Sequence, residues 1–356
     1  NLTSQLNDKL WKNLFSGTAK DFISAKLIER ENRHEKHGQR YMVEPNVKEG
    51  KGGLRDLQSL YWIAKYVYQT QNISDLVDLN VFRSDEYLQF EQAEEFLWAV
   101  RCQMHHLADR AIEQLSFDLQ VEVASAMGYH DSRDQRAVEI FMQDYFRHAT
   151  RVGDLTRIFL TSLEAVHAKD EPLLERIFKR KPKIDNDYIV IHNRLAIKSE
   201  KEFLTNPINL LKLFSEALRT GLLIHPNAMR LVSANLAMVN NEFRASTEAQ
   251  QIFLELLLKH GNPERALRRM NELGFLAKFI PEFEPIVAMM QFNMYHSYTV
   301  DEHTIQCLKT LAQIEKGELV EELPIASSIL KDGVNRKVIY IALLLHDIGK
   351  GRSDDH

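Results

Sequence analysis

The 356-residue sequence has few cysteines, few glycines and no long apolar run. Its two cysteines, Cys102 and Cys307, lie far apart without CxxC spacing, which fits neither a disulfide scaffold nor a sulfur-ligated zinc site. The longest apolar run, VIYIALLL at residues 338–345, is too short to span a bilayer. The N-terminus has no signal-peptide pattern. These absences predict a cytoplasmic protein with no membrane partner.

The sequence also lacks an excess of positive charge. Lys and Arg total 45 against 50 Asp and Glu, a formal net charge of -5, so a broad basic surface for nucleic acid is not expected. A hydrophobic fraction of 44% is enough to fill buried cores. The chain opens without Met inside an amphipathic pattern and stops after GRSDDH, so we expect a fragment of a longer protein.

Apolar residues recur at three- and four-residue spacing through most of the chain, which predicts helices with one buried face. The first stripe is Leu54, Leu57, Tyr61, Ala64 and Tyr68. The second is Tyr87, Phe90, Glu94, Leu97, Val100, Met104 and Leu107, interrupted once by the carboxylate of Glu94. The third is Val138, Phe141, Tyr145, Ala149, Val152, Leu155 and Phe159. The fold class is therefore predicted to be mainly α.

Two segments depart from the helical pattern. RYMVEPNVK at residues 40–48 is typical of a short strand, because Pro45 keeps Glu44 out of helical geometry. DYIVIHNRLAI at 187–197 is rich in β-branched residues and predicts a small hairpin that turns at HNR. The charged segment KRKPKIDND at 179–187 is the best internal boundary by composition.

The segment VEPNVKEGKGGLRD at residues 43–56 concentrates glycine and charge. It satisfies neither the Walker pattern nor the dinucleotide-binding fingerprint. The pattern instead predicts a strand with Glu44, a turn with Lys48, and glycines that lead into a helix beginning near Leu54. Gly52 and Gly53 can take positive φ or let a phosphate approach the backbone.

Glu44 and Lys48 have two interpretations. Phosphoryl and nucleotidyl transfer use carboxylates on neighbouring strands to hold divalent ions, and Glu44 suits one such position. The ammonium group of Lys48 would then bind a triphosphate through its positive charge. Alternatively, the two side chains form an exposed ion pair before an ordinary turn.

A second candidate site lies in IYIALLLHDIGKGRSDDH, where an apolar helix ends in His346 and Asp347. An adjacent imidazole and carboxylate suit a divalent transition ion, and the lack of nearby thiolates argues against structural zinc. The pair can also be a helix cap or a salt bridge. His303 begins another amphipathic helix, and the pattern His…His-Asp with a lysine three residues after the Asp resembles the HD phosphohydrolase superfamily. The resemblance implies a metal site that would activate water near neutral pH. Lys350 would stabilise phosphate charge, or is a solvent-exposed lysine.

Both segments resemble one family. RYMVEPNVKEGKGGLRDLQSLYWIAKY is similar to the stretch after the nucleotidyltransferase core of the bacterial bifunctional uridylyltransferase/uridylyl-removing enzymes, and PEFEPIVAMMQFNMYHSYTVDEHT with LLLHDIGKGRSDDH resembles their HD phosphohydrolase domain. The resemblance implies the end of a transferase domain with its last strand at 1–53, a helical domain at 54–284, and the first helices of an all-α HD domain at 285–356.

The resemblance also implies roles for particular residues. Glu44 would be the third metal-binding carboxylate of the transferase, whose other two carboxylates are not in this sequence. His303, His346 and Asp347 would be the HD metal ligands, with His356 as a further ligand or phosphate contact. His296 is a second candidate for the first ligand.

The implied activity is transfer of UMP from UTP to a tyrosine of the PII signalling protein, and hydrolysis of the resulting phosphodiester. A divalent metal, Mg or Mn, is the implied cofactor, and glutamine is the implied effector through C-terminal domains outside this sequence. Two alternatives stay open. The chain is a nucleotide phosphohydrolase whose HD site does all the chemistry on a helical scaffold, or it is a non-catalytic module that docks PII.

Overall fold

The computed structural model describes residues 2–15, 17–37, 41–133, 135–167, 183–292, 298–331 and 333–351. These residues are mainly helical, as the apolar spacing predicted. They form two compact units. The first comprises Asn1–Lys169 with Met290–Ser297, and the second comprises Asp170–Met289 with Tyr298–His356. His296 and His356 lie outside the described residues.

The described part of the first unit is built from helices. They are α1 (Leu2–Leu10), continued by a π-helical turn (Trp11–Phe15), α2 (Ala19–His37), α3 (Leu54–Tyr68), α4 (Asp75–Asp78), α5 (Ser84–Ala108), α6 (Phe117–Ala126) and α7 (Ala137–His167). Helix α7 packs against α3, α5 and α6. Every residue of the third predicted stripe is buried, from Val138 to Phe159, which accounts for the position of α7 between its neighbours.

The stretch before α3 differs from the predicted strand over 40–48. Among the described residues it forms an isolated antiparallel bridge, Asn46 with Gln114, rather than a regular strand. The Asn46 side-chain Oδ1 accepts the backbone N–H groups of Lys48 (3.2 Å) and Glu49 (2.7 Å). This Asx turn redirects the backbone immediately after the bridge, so the pairing cannot extend. Helix α3 then begins at Leu54, as predicted.

The second unit contains the predicted hairpin. Strands β1 (Tyr188–Ile191) and β2 (Arg194–Ile197) pair antiparallel. The intervening His192 and Asn193 both have positive φ, 46° and 59°, as a two-residue type I′ turn requires. Strand β3 (Leu223–Ile224) adds to β2 in parallel, which gives the order β1-β2-β3.

Helices follow the hairpin along the chain, and those at Asn209–Thr220 and Pro226–Ala234 pack against the sheet. They are α8 (Glu200–Phe203), α9 (Asn209–Thr220), α10 (Pro226–Ala234), α11 (Asn241–Ala245), α12 (Thr247–Leu258), α13 (Glu264–Glu272), α14 (Phe275–Phe279), α15 (Val300–Glu315), α16 (Pro324–Lys331) and α17 (Arg336–Leu345), with 3-10 turns at Leu236–Met238, Pro281–Ile286 and Ile348–Gly351. Helix α15 packs against α13, α16 and α17.

Residues on both sides of the predicted boundary at 53 lie in the first compact unit. The division of the chain into 1–53, 54–284 and 285–356 therefore stays a prediction. In the part of the chain that the structure describes, no helix combines the length and the apolar character needed to cross a bilayer.

Candidate functional site

The backbone around Glu44 is anchored to the segment that precedes α6. The Val47 N–H donates to the Glu113 carbonyl (2.9 Å), and the Leu115 N–H donates to the Pro45 carbonyl (2.9 Å). The half-buried Glu44 side chain accepts the Phe117 N–H through Oε1 at 2.9 Å. Phe117 is the first residue of α6, where the N–H groups lack intrahelical partners and the helix dipole favours a negative charge. The structure thus places the Glu44 carboxylate at a helix N-terminus, while the Glu44 carbonyl accepts the Gln114 side-chain amide.

Lys48 lies between two carboxylates. Its Nζ is 3.7 Å from Glu49 Oε1 and 3.8 Å from Glu113 Oε1. Glu113 is held more tightly by Arg101, whose Nε and Nη2 donate to it at 2.8 and 2.6 Å. Burial raises the pKa of the Glu113 carboxyl, but the Arg101 hydrogen bonds and the charges of Arg101, Lys48 and His105 outweigh it and lower that pKa.

The glycines before α3 are required by close packing of the backbone. Gly52 has φ of +84°, and a Cβ there would lie 2.5 Å from the Ala149 carbonyl oxygen of α7. A Cβ on Gly53 would lie 2.6 Å from the Val47 carbonyl oxygen. The predicted positive φ is found at Gly52, and Gly53 has φ of -87°. The space beside both Cα atoms is filled by the chain's own carbonyls, so a phosphate would have to approach from another side.

A buried carboxylate that the sequence did not single out fixes this turn to α2. The Asp56 side chain accepts the Gly52 N–H at 2.9 Å, lies 2.9 Å from His34 Nε2, and pairs with Arg33 Nη2. Arg30 Nε is 3.4 Å away. Burial alone would raise the pKa of Asp56, but the His34 hydrogen bond, the Arg30 charge and the Gly52 N–H together lower it to about 2.

The second candidate site lies where the beginning of α15 meets the end of α17. The first turn of α15 is fixed by buried polar contacts with α13, because Asn271 donates to Asp301 at 2.7 Å and Arg268 pairs with Glu302. At the other end of α15, Glu315 accepts the Tyr340 hydroxyl of α17 at 2.8 Å. The two helices are thereby held in one arrangement.

This arrangement brings together two of the predicted ligands. The rings of His303 and His346 have centroids 5.7 Å apart. The Nδ1 of His346 lies 2.7 Å from the Leu343 carbonyl oxygen, which can only accept, so we infer that Nδ1 carries a proton and donates it. In the neutral ring, Nε2 then keeps its lone pair, which is the form that binds metal ions.

Asp347, which is buried, completes the predicted triad of ligands. Its Oδ2 lies 3.2 Å from His346 Nε2 and 2.9 Å from the Lys350 Nζ. An imidazole nitrogen and a carboxylate oxygen at this separation can both bind one cation. The donor set and this juxtaposition fit a divalent metal ion.

Cys307 is the residue of this site that the sequence interpretation missed. The prediction that no thiol lies near the His-Asp pair is wrong: Cys307 Sγ is 3.6 Å from His303 Nε2. The signal was present, because residues at i and i+4 share a helix face. Burial, and to a lesser degree the charge of Asp347, raise the pKa of the Cys307 thiol, while Lys350 acts in the opposite direction.

The fold and this site together define a helical protein with a candidate metal-dependent hydrolase centre. The GlnD PII-uridylyltransferase family model matches residues 21–160, and the model of the uridylyltransferase GlnD third domain matches residues 188–279. The chain belongs to this GlnD uridylyltransferase family. The first match contains the segment around Glu44 and Lys48, while residues 303–350 of the second site lie outside both matches.

Two curated relatives match the chain over its whole length. The bifunctional uridylyltransferase/uridylyl-removing enzyme of Ruegeria pomeroyi is 66% identical over 355 residues, which cover 100% of this chain and 39% of the relative. The protein of the same name from Cereibacter sphaeroides is 61% identical over 356 residues and 38% of its length. The chain thus spans about two fifths of these relatives. No solved structure matches it.

Proposed function

We propose that the protein containing this chain transfers UMP from UTP to a tyrosine of a PII signalling protein and hydrolyses the PII-UMP phosphodiester. The observation that carries this proposal is the identity of 66% and 61% to two enzymes named for both reactions, over all of the chain. Both candidate sites fall inside these matches. The family assignment and the ligand-like donor set in the second unit agree in pointing to phosphoryl chemistry.

In the transferase reaction, we propose that the Glu44 carboxylate binds a metal ion and that the positive charge of Lys48 faces a phosphate. A carboxylate offers several acceptor positions, so the Oε1 contact with the Phe117 N–H leaves Glu44 with capacity for a cation. The bridge at Asn46 and the glycine turn fix the backbone on both sides of Lys48. The role of Gly52 and Gly53 is then to close this turn against α7, with phosphate contact as the further proposal.

In the hydrolase reaction, His303, His346 and Asp347 would hold a divalent ion, which supplies an activated water and polarises the phosphodiester. The Leu343 carbonyl orients the His346 ring through Nδ1. Lys350 lies 2.9 Å from Asp347 Oδ2, so its positive charge is held at the site where phosphate oxygens would develop charge. His356 stays a proposed additional ligand outside the described residues.

The partners follow from the same proposal. PII and UTP would be the substrates, Mg or Mn the metal, and glutamine the effector, sensed outside this chain. Imidazole with carboxylate suits Mn better than Mg, because Mg prefers oxygen ligands alone. A cytoplasmic location stays a prediction from the sequence.

Two variants of the intact protein test the proposal together. Glu44→Gln keeps an oxygen that can accept the Phe117 N–H and removes the charge, so folding is preserved while UMP transfer falls by at least about 100-fold. Removal of UMP from modified PII should be unchanged. His346→Ala combined with Asp347→Ala should give the opposite result, with removal lost and transfer retained. Radiolabelled UMP on PII measures both reactions.

The pattern of losses distinguishes the alternatives. Equal loss of both activities in either variant, or loss of neither, contradicts the assigned roles. Removal without any transfer in the wild-type protein would instead support a phosphohydrolase on a helical scaffold. A protein that binds PII and catalyses neither reaction would support the docking module.

A further inference from the structure

The site in the second unit contains a third potential metal donor besides its two histidines. Atoms of His303, Cys307 and His346 lie within 4.8 Å of one another, one from each side chain. From this geometry we infer that Cys307 is a metal ligand of the proposed hydrolase site and that its sulfur strengthens the binding of thiophilic divalent ions such as Zn²⁺ or Co²⁺. The inference rests on the proposed uridylyl-removing function of this site.

The separation between the sulfur and the first imidazole fits shared coordination. A tetrahedral ion with Zn–S of about 2.3 Å and Zn–N of about 2.0–2.1 Å places neighbouring S and N donors about 3.6 Å apart. The observed distance from Cys307 Sγ to His303 Nε2 is 3.6 Å. Both residues are on α15, one turn apart, so helix geometry alone fixes this pair before any ion binds. Such a preformed pair lowers the cost of assembling the site.

The third donor is His346, which follows α17, whereas the other two donors lie on α15. His346 is exposed and follows the last residue of α17, and its Nδ1–H is committed to the Leu343 carbonyl. Its Nε2 is thus the nitrogen that keeps a lone pair for a metal ion. Because the donor atoms of the three side chains lie within 4.8 Å of one another, a shift of at most about 1.4 Å would bring them to tetrahedral separations of about 3.4–3.6 Å.

The donor chemistry determines the expected ion. One thiolate and neutral imidazoles suit Zn²⁺, Co²⁺ and Fe²⁺, whereas Mg²⁺ and Mn²⁺ favour oxygen ligands. Asp347 adds one oxygen at this site, but its Oδ2 is also engaged by Lys350 at 2.9 Å. Sulfur would therefore add most to the binding of thiophilic ions. The competing explanation is a plain S–H···N contact within α15 that binds nothing.

Cobalt spectroscopy separates these two explanations without relying on enzymatic activity. The intact protein, stripped of metal, is titrated with Co²⁺ alone, and a near-ultraviolet thiolate-to-cobalt charge-transfer band is measured. The wild type should develop this band, and Cys307→Ser should not. Cys102→Ser is the matched control, because Cys102 is exposed in the first unit and is the other cysteine of this sequence, so this variant should retain the band.

Affinity gives a second measurement. Cys307→Ser should weaken Zn²⁺ and Co²⁺ binding by at least about 10–100-fold, the loss that even outer-shell partners cause, and leave Mn²⁺ affinity unchanged. Circular dichroism checks that the serine variant folds. A wild type that binds Co²⁺ without the band, a band that survives Cys307→Ser, or no Co²⁺ binding at all overturns the inference. The band together with uridylyl removal that survives loss of His346 and Asp347 would uphold the inference and refute the hydrolase proposal.

Discussion

Replacing Asp56 with Asn should destabilise the first unit, because this carboxylate is the shared partner of two arginines, a histidine and a backbone N–H. Its side chain is fully buried, with Arg33 as its closest partner. The isosteric amide keeps the shape and can still accept one hydrogen bond. It cannot balance the guanidinium charges of Arg30 and Arg33.

The expected loss can be worked from the depressed pKa. A carboxyl whose pKa falls from 3.8 in the reference state to about 2 in the folded chain contributes about 2 kcal/mol of stability at neutral pH. The amide also leaves Arg33 buried without a countercharge, and removing one partner of a buried pair costs about 3–5 kcal/mol. Because the two figures describe overlapping interactions, we expect a loss of about 3 kcal/mol at pH 7.

The sign of the pH dependence follows from the direction of the shift. The Asp56 contribution is fully present above the unfolded pKa of 3.8 and is lost as pH falls through the folded value of about 2. The wild-type advantage over Asp56→Asn should therefore shrink between about pH 4 and pH 2. Urea unfolding followed by tryptophan fluorescence measures this, because Trp11, Trp62 and Trp98 all lie in the first unit.

An exposed aspartate of the same unit provides the control. Asp85, in the first turn of α5, is exposed, so Asp85→Asn should change the unfolding free energy by less than about 1 kcal/mol at either pH. If Asp56→Asn unfolds within about 0.5 kcal/mol of wild type at pH 7, the charge argument is wrong. A deficit of the same size at pH 7 and at low pH would also refute it.

Two further stability predictions use the same measurement. Gly52→Ala should lower the unfolding free energy by more than about 3 kcal/mol, because its Cβ would meet the Ala149 carbonyl at 2.5 Å and its φ is +84°. The control is Gly128→Ala, with φ of +81° and open space around the new Cβ, which should cost only about 1 kcal/mol. Equal losses would exclude the clash as the cause. In the second unit, Arg268→Met leaves buried Glu302 without its arginine partner and should lower the unfolding free energy by about 3 kcal/mol, measured by circular dichroism. Adding Glu302→Gln should restore part of the lost stability. A double variant no more stable than Arg268→Met would contradict this explanation.

The sequence predicted those parts of the fold that depend on local pattern. Helix α7 follows directly from its unbroken apolar stripe, and the hairpin follows from β-branched runs around His192 and Asn193. The strand over 40–48 was wrong because strand length depends on pairing with a distant segment. Here the partner, Gln114, supplies a single bridge and the Asn46 side chain ends it.

The candidate site was likewise predictable where it depends on local sequence pattern, and not where it depends on packing between distant segments. His303 and His346 were identifiable from their helical context, and the structure places their rings 5.7 Å apart. Cys307 was identifiable too, since its spacing from His303 is one helical turn, whereas the spacing between the two cysteines carries no such signal. The partners of Asp56 could not be predicted, because Arg33 precedes it by 23 residues and meets it only through packing of α2 on α3.

The ion pairs around Lys48 decide whether its charge is available for the phosphate contact proposed above. Its Nζ is 3.7–3.8 Å from Glu49 and Glu113, beyond ordinary hydrogen-bond length, so neither carboxylate holds it firmly. Arg101 takes both oxygens of Glu113 at 2.6–2.8 Å and satisfies that charge by itself. Because such partly exposed pairs contribute only about 0–1 kcal/mol, turning Lys48 toward a phosphate costs little. The charge of Lys48 is therefore available to an anion, while Arg101 is committed to the fold.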